Sequence, residues 1–118
     1  MAIVLKGSQP EIKIKLTATM PDCSDSFTAV YKRGTKDDLK IEFEKANAGK
    51  LKDEEFLKKW LIRVEDLIDA ETGEYGKYDA DEILPVMIPH VPYMKALVKG
   101  AWTAIGNYAE HENQRLGN

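Results

Sequence analysis

A chain of 118 residues has room for one hydrophobic core, since two domains of half that length would each bury too little surface. Hydrophobic residues make up 43% and charged residues 31%, which argues against wholesale disorder. The formal net charge of −3 argues against a general affinity for nucleic acid, whose phosphates call for several Lys and Arg on one surface.

Cys23 is the single cysteine, so neither an intrachain disulfide nor a cysteine-built zinc site is available. The opening Met1-Ala2-Ile3-Val4-Leu5-Lys6 has no basic n-region and too short an apolar run for a secretory leader. No apolar run approaches the roughly 18 residues of a membrane span. The expected setting is a reducing cytosol, with no membrane partner.

Taken along the chain, residues 11–19 alternate strictly. Ile12, Ile14, Leu16 and Ala18 fall on one face and Lys13, Lys15, Thr17 and Thr19 on the other, which predicts a half-buried strand. Pro21 to Ser26 is a turn cluster, and Phe27, Ala29 and Tyr31 set the face of a second strand to Lys32. The two form a β-hairpin over 10–34 that needs cover from elsewhere in the chain. Lys13, Lys15, Lys32 and Arg33 are expected to solvate its outer face and guard its edges.

Thr35 with Asp38 predicts a capping box, and Leu39, Phe43 and Ala46 the stripe of a first helix that ends at Gly49. Asp53 predicts the N-cap of a second helix. Phe56, Leu57, Trp60, Leu61, Val64, Leu67 and Ile68 recur at helical spacing, so this helix is expected to run to about Ile68, with two helices filling 35–70. From Glu65 to Glu82 eight acidic residues face only Lys77, and 71–79, with Gly73 and Gly76, is expected to be an acidic loop.

Asp79 or Asp81 is expected to cap a short third helix that carries Pro85 and stops before Pro89. Pro92 suits the first turn of a long last helix, so that 80–113 holds a short and a long helix and 114–118 a tail. The stripe of the last helix is Met94, Leu97, Val98, Ala101, Ile105 and Tyr108. Gly100 and Gly106 within it suggest a bend or the close approach of another backbone. The fold class expected is therefore α+β: an N-terminal antiparallel β-hairpin packed on about four helices.

Chemistry is sparse. His90 and His111 lie in no recognisable motif, and nothing around Cys23 suggests an activated nucleophile. Loops begun at Asp69 or Asp79 miss the ligand positions of an EF-hand. Gly73-Glu74-Tyr75-Gly76 lacks the spacing and the lysine of a phosphate loop. Glu65 and Asp66, adjacent on the expected helix, would point apart. The expectation is a non-catalytic chain without metal or cofactor. The aromatic residues then suggest contacts with protein: Phe27 and Tyr31 on the hairpin, and Trp102, Ile105 and Tyr108 on the last helix, are the candidate partner- or self-contact residues.

The order of elements over residues 10–118 resembles the tail assembly chaperones of long-tailed bacteriophages. The resemblance is carried by Gly7-Ser8-Gln9-Pro10 before an alternating strand, by Phe27 to Leu39 running through a basic turn into a helix, by Trp60 to Ile68, and by Ala101-Trp102-Thr103-Ala104-Ile105-Gly106-Asn107-Tyr108-Ala109 before Arg115-Leu116-Gly117-Asn118. It implies a chaperone that binds the tape measure protein, keeps it soluble and helps recruit tail tube protein. The same resemblance implies residence in the host bacterial cytoplasm, absence from the mature virion and association of copies with one another. A structural virion protein, such as a head–tail connector or minor tail component, is the alternative.

Overall fold

A computed structural model describes residues 10–68 and 71–106. The chain forms β1 (Glu11–Thr19), β2 (Ser24–Lys32), α1 (Lys36–Asn47), α2 (Asp53–Trp60), β3 (Leu61–Ile68), β4 (Tyr75–Asp79), α3 (Ala80–Met87) and α4 (Val91–Gly106). The four strands make one antiparallel sheet in the order β1-β2-β3-β4. All four helices contact one another or the sheet, and the fold is mixed α+β as expected.

The hairpin forms where alternation placed it, with Leu16 opposite Phe27 and Ile14 opposite Ala29. Met20 N–H closes its turn on the Cys23 carbonyl at 2.9 Å. The capping box of α1 is also present: Asp38 N–H donates to Thr35 Oγ1 at 3.2 Å and Thr35 N–H donates to Asp38 Oδ2 at 2.9 Å. Donation from the Thr35 N–H, and from the Thr35 hydroxyl at 2.9 Å, holds the Asp38 carboxyl below the usual carboxylate range. Along α1, Glu42 is the buried residue. Its carboxylate accepts from Lys59 Nζ at 2.8 Å, which ties α1 to α2.

Two expectations are corrected. The second helix stops at Trp60, and Leu61 passes directly into β3 with an extended ψ of 129°. The helical spacing of Leu61, Val64 and Leu67 has a different origin. Tyr31 pairs with Leu61 while Val30 pairs with Arg63, so Ile62 is an extra residue. A second irregularity lies between Glu65 and Leu67. Each bulge shifts the parity of the strand. Inward residues therefore recur every three positions, which imitates a helix. Asp66, at the second bulge, has φ 65°, a conformation Asp tolerates better than most residues, and its carboxylate accepts from the Thr28 hydroxyl at 2.8 Å. The segment 71–79 is likewise not all loop: Tyr75–Asp79 pairs with β3, and Asp79 leads straight into α3. The sheet thus has twice the strands the hairpin alone would give.

Helices cover one face of this sheet. Helix α4 lies across β1 and β2, and α3 across β3 and β4, with α2 packed on both helices and α1 on α4. The core holds Leu16, Phe27, Ala29, Tyr31, Phe56, Leu57, Val64, Leu84, Leu97 and Ala101, among others. Helix α3 is brief and carries Pro85 inside, and Pro92 stands in the first turn of α4, both as expected.

The contact that seats α4 is made by Tyr31. Its buried hydroxyl donates to the Leu97 carbonyl at 2.6 Å, and burial pushes its phenol pKa upward. A Cβ on Gly100 would stand 2.5 Å from that hydroxyl oxygen, so glycine is what allows ring and helix to meet. At the other end of α4 the backbone of Gly34 passes so close that a Cβ would stand 2.7 Å from Ile105 Cα. Gly106 has no such role, since its imagined Cβ would meet only Leu39 at ordinary contact distance.

Gly100→Ala is expected to lower stability by about 1–3 kcal/mol through this clash, and Tyr31→Phe by about 1 kcal/mol through the lost hydrogen bond. Because the hydroxyl is the atom struck, the glycine substitution should cost less in the Tyr31→Phe background. Urea denaturation of the two single variants and the double variant measures the coupling; strict additivity would contradict it.

Candidate functional site

Among the described residues, three surfaces stand out once the core is closed. The first is the sheet face opposite the helices. Arg63 Nε donates to Glu65 Oε2 at 2.8 Å, Lys13 Nζ to Glu65 Oε1 at 3.3 Å, and Arg63 Nη2 reaches Glu11 at 3.4 Å. Register explains the set: Lys13 pairs with Val30, which pairs with Arg63, which pairs with Asp79, in one row across the strands, and Glu65 and Glu11 stand in the neighbouring rows, opposite Thr28 and Lys32. Val30 is fully buried within that row. The bonds from Arg63 first, and then Lys13, hold the Glu65 carboxyl below its ordinary range, and the bond to Glu65, with Glu11 nearby, raises the Arg63 guanidinium. Glu65 and Asp66 are thus strand residues with separate partners, not neighbours on a helix.

The second surface is a groove of about 770 Å³ between the end of β3, α3 and the start of α4. Leu67, Ile68, Tyr78, Ile83, Val86 and Met87 give it an apolar lining, and Glu71 and Glu82 supply its carboxylates. Ile68 and Val86 are 64% and 61% exposed, high values for branched aliphatic side chains. His90 and Tyr93 close one end, with ring centres 6.4 Å apart. The Tyr93 hydroxyl donates to the Asp25 carboxylate, which with burial pushes its pKa up to about 12. This bond also ties the start of α4 to β2.

The third surface is centred on Trp102. Its ring lies 4.8 Å from Phe56 and 5.1 Å from Phe43, joining α4 to α2 and α1. Phe56 is buried, whereas Phe43 is 52% exposed, so the aromatic stack runs from the core to the surface. Beside it Met94, Lys95, Val98, Lys99 and Asp53 line a cleft of about 360 Å³.

Of the contact residues expected from sequence, Phe27, Tyr31 and Ile105 are buried in the core and pack α4 on the sheet. Trp102 is half-buried at the third surface. Tyr108 lies outside the described residues, as do His111 and the expected continuation of the last helix to residue 113. Ile68 and Phe43 were not singled out as contacts in sequence, because each sits on a stripe expected to face the core, and Val86 falls on no expected stripe. Cys23 is exposed and free in the hairpin turn. Among the described residues no three His, Cys, Asp or Glu side chains are grouped to hold a metal ion. No helix there is long and apolar enough to cross a membrane.

Comparison with protein-family models, with curated proteins and with solved structures finds no match to this chain.

The charge row makes an acid-side prediction. A carboxylate whose folded pKa is lowered contributes stability that is complete above its unfolded value, about 4.3 for Glu, and that disappears as pH falls through the folded value. Glu65→Gln should therefore destabilise the chain near pH 7, and its deficit against the parent should shrink as pH is lowered toward about 3. Urea midpoints over that range test this; a deficit independent of pH would refute it.

Proposed function

We propose that this chain is a non-catalytic, protein-binding domain that serves as a tail assembly chaperone: it binds the tape measure protein, keeps it soluble and helps recruit tail tube protein. The observation that supports protein binding is the placing of its exposed apolar side chains. Ile68 and Val86 stand at one groove and Phe43 at the stack on Trp102. Exposed apolar side chains grouped in this way are the usual mark of contact surfaces. The chaperone reading rests in addition on the resemblance in the order of elements and in the segment from Ala101. A tape measure protein is a long, largely helical apolar chain, and helix-in-groove packing suits surfaces of this kind. On this reading the chain works in the host bacterial cytoplasm and leaves before the virion matures.

Co-expression with a tape measure protein from the same genome tests the proposal. The tape measure protein should move into the soluble fraction and co-purify with this chain, and mass spectrometry of purified particles should find this chain missing. Unchanged solubility with no co-purification would sink the chaperone reading, and stoichiometric presence in particles would favour a structural virion component.

A further inference from the structure

The two edges of the sheet differ. Strand β4 is five residues long and pairs with the bulged β3, whereas β1 runs nine residues in unbroken register with β2 and contains no proline. Two backbone bonds bracket the hairpin, from Arg33 N–H to the Pro10 carbonyl and from Met20 N–H to the Cys23 carbonyl. Bonded and non-bonded pairs alternate between them, so the even-numbered residues of β1 bond to β2. Lys13, Lys15 and Thr17 therefore turn their N–H and C=O groups outward, where no described strand meets them. Beside this edge lies a groove of about 450 Å³ between β1 and α4. Ile12 and Ile14 face the helices yet stay half-buried, because no described strand beyond β1 continues the layer. Deeper in the groove, Leu16 and Ala96 are buried. Its lining has no Asp or Glu but three lysines, Lys13 and Lys15 on the strand and Lys99 on the helix. Lys13 is bound to Glu65, while Lys15 and Lys99 form no ion pair among the described residues.

We propose that the β1 edge and this groove bind an extended peptide whose residues alternate between acidic and apolar, taken up as a fifth strand of the sheet. The outward N–H and C=O groups of Lys13, Lys15 and Thr17 supply its backbone bonds. Side chains of the added strand alternate between the two faces. Those level with Lys13 and Lys15 carry carboxylates and pair with the lysines across the strands. Those between them turn into the groove, where apolar groups cover Ile12 and Ile14, and Lys99 adds positive charge on the helix side. Proteins blunt long regular edges with short strands, bulges, proline or lysine. Of these devices β1 has only the lysines. They repel a second β1 edge, which would set lysine against lysine, and accept a strand of opposite charge. Residues 1–9 of the chain hold Lys6 and no acid, so they lack the chemistry this edge selects. Both the face and the partner differ from those of the tape measure reading, so either proposal can fail without the other.

The test titrates the full chain with a capped synthetic peptide of alternating Glu and Val, matched to β1 in length, and reads backbone amides by NMR. Amide shifts should move along β1 and the part of α4 that faces it. The N–H groups of Lys13, Lys15 and Thr17 should exchange fast in the free chain and become protected with peptide bound. Lys15→Glu, at an exposed position, should weaken binding about tenfold, with circular dichroism and thermal melting as the check on folding. Two changes to the peptide alone keep the test independent of any protein variant. Gathering the same Glu and Val residues into two blocks should weaken binding about tenfold or more, because carboxylates and apolar groups then no longer fall on separate faces. N-methylation of one alternate set of peptide amides should abolish binding, and of the other set should leave it intact, since only one set faces β1. Absence of binding, shifts centred on the groove by α3, or block and N-methylated peptides that all bind alike would each overturn the proposal; the last result would mark a general attraction for polyanions. Edge amides already protected without peptide would overturn it too, showing the edge filled by the chain itself or, where protection rises with concentration, by a second copy.

Discussion

The position of α4 on the sheet depends on a tyrosine hydroxyl meeting a helix where there is no side chain. Tyr31, near the end of a central strand, donates to the Leu97 carbonyl, and Gly100 leaves the space in which the ring lies. With α4 held there, Leu97, Ala101 and Ala104 face the strands, and Trp102 is carried to the opposite side, against Phe56 and Phe43. Helix α4 also touches every other helix, so the placing of α1, α2 and α3 follows from the same contact. A polar group is buried at this point without a large penalty because its hydrogen bond is made inside the protein.

The sheet is covered on one face only, and its two faces use different physics. Toward the helices it offers aliphatic and aromatic side chains. Away from them it carries Glu11, Lys13, Arg63 and Glu65 in a bonded row. Glu65 is buried among these pairs while Lys13 reaches solvent, and the charges leave that face a poor place for apolar contact. Among the described residues, Ile68 and Val86 stand exposed at the groove by α3 and Phe43 at the stack by α1 and α4, while Ile41, Tyr75 and Val91 are exposed outside both.

Much of the fold was legible before any coordinates. Strict alternation marked β1, the Thr35–Asp38 box marked the start of α1, and Pro85 and Pro92 marked a short helix followed by a long one. What misled was β3. Its two bulges space Leu61, Val64 and Leu67 three apart, and a window that senses only period reads that as helix. Acids in the first turn of α2 with Lys58 and Lys59 in its last were the available sign that this helix ends near Trp60.

The sequence by itself determined the α+β class, the hairpin and the capping box of α1, because these depend on neighbours close in the chain, whereas the cap expected at Asp53 falls on Lys52. It also offered a bend or the close approach of another backbone at Gly100 and Gly106, where the structure brings a side chain, that of Tyr31, to Gly100 alone. Tertiary structure decided the rest: the pairing of β2 with β3, the parity of β3, the partner of Gly100, and which apolar residues stay exposed. Phe27, Tyr31, Ile105, Phe43, Ile68 and Val86 are chemically alike in sequence. The first three are buried and the last three exposed only because strands and helices far apart in the chain close over one set and leave the other at the seams. Burial is a property of the assembled layers, and no local pattern encodes it.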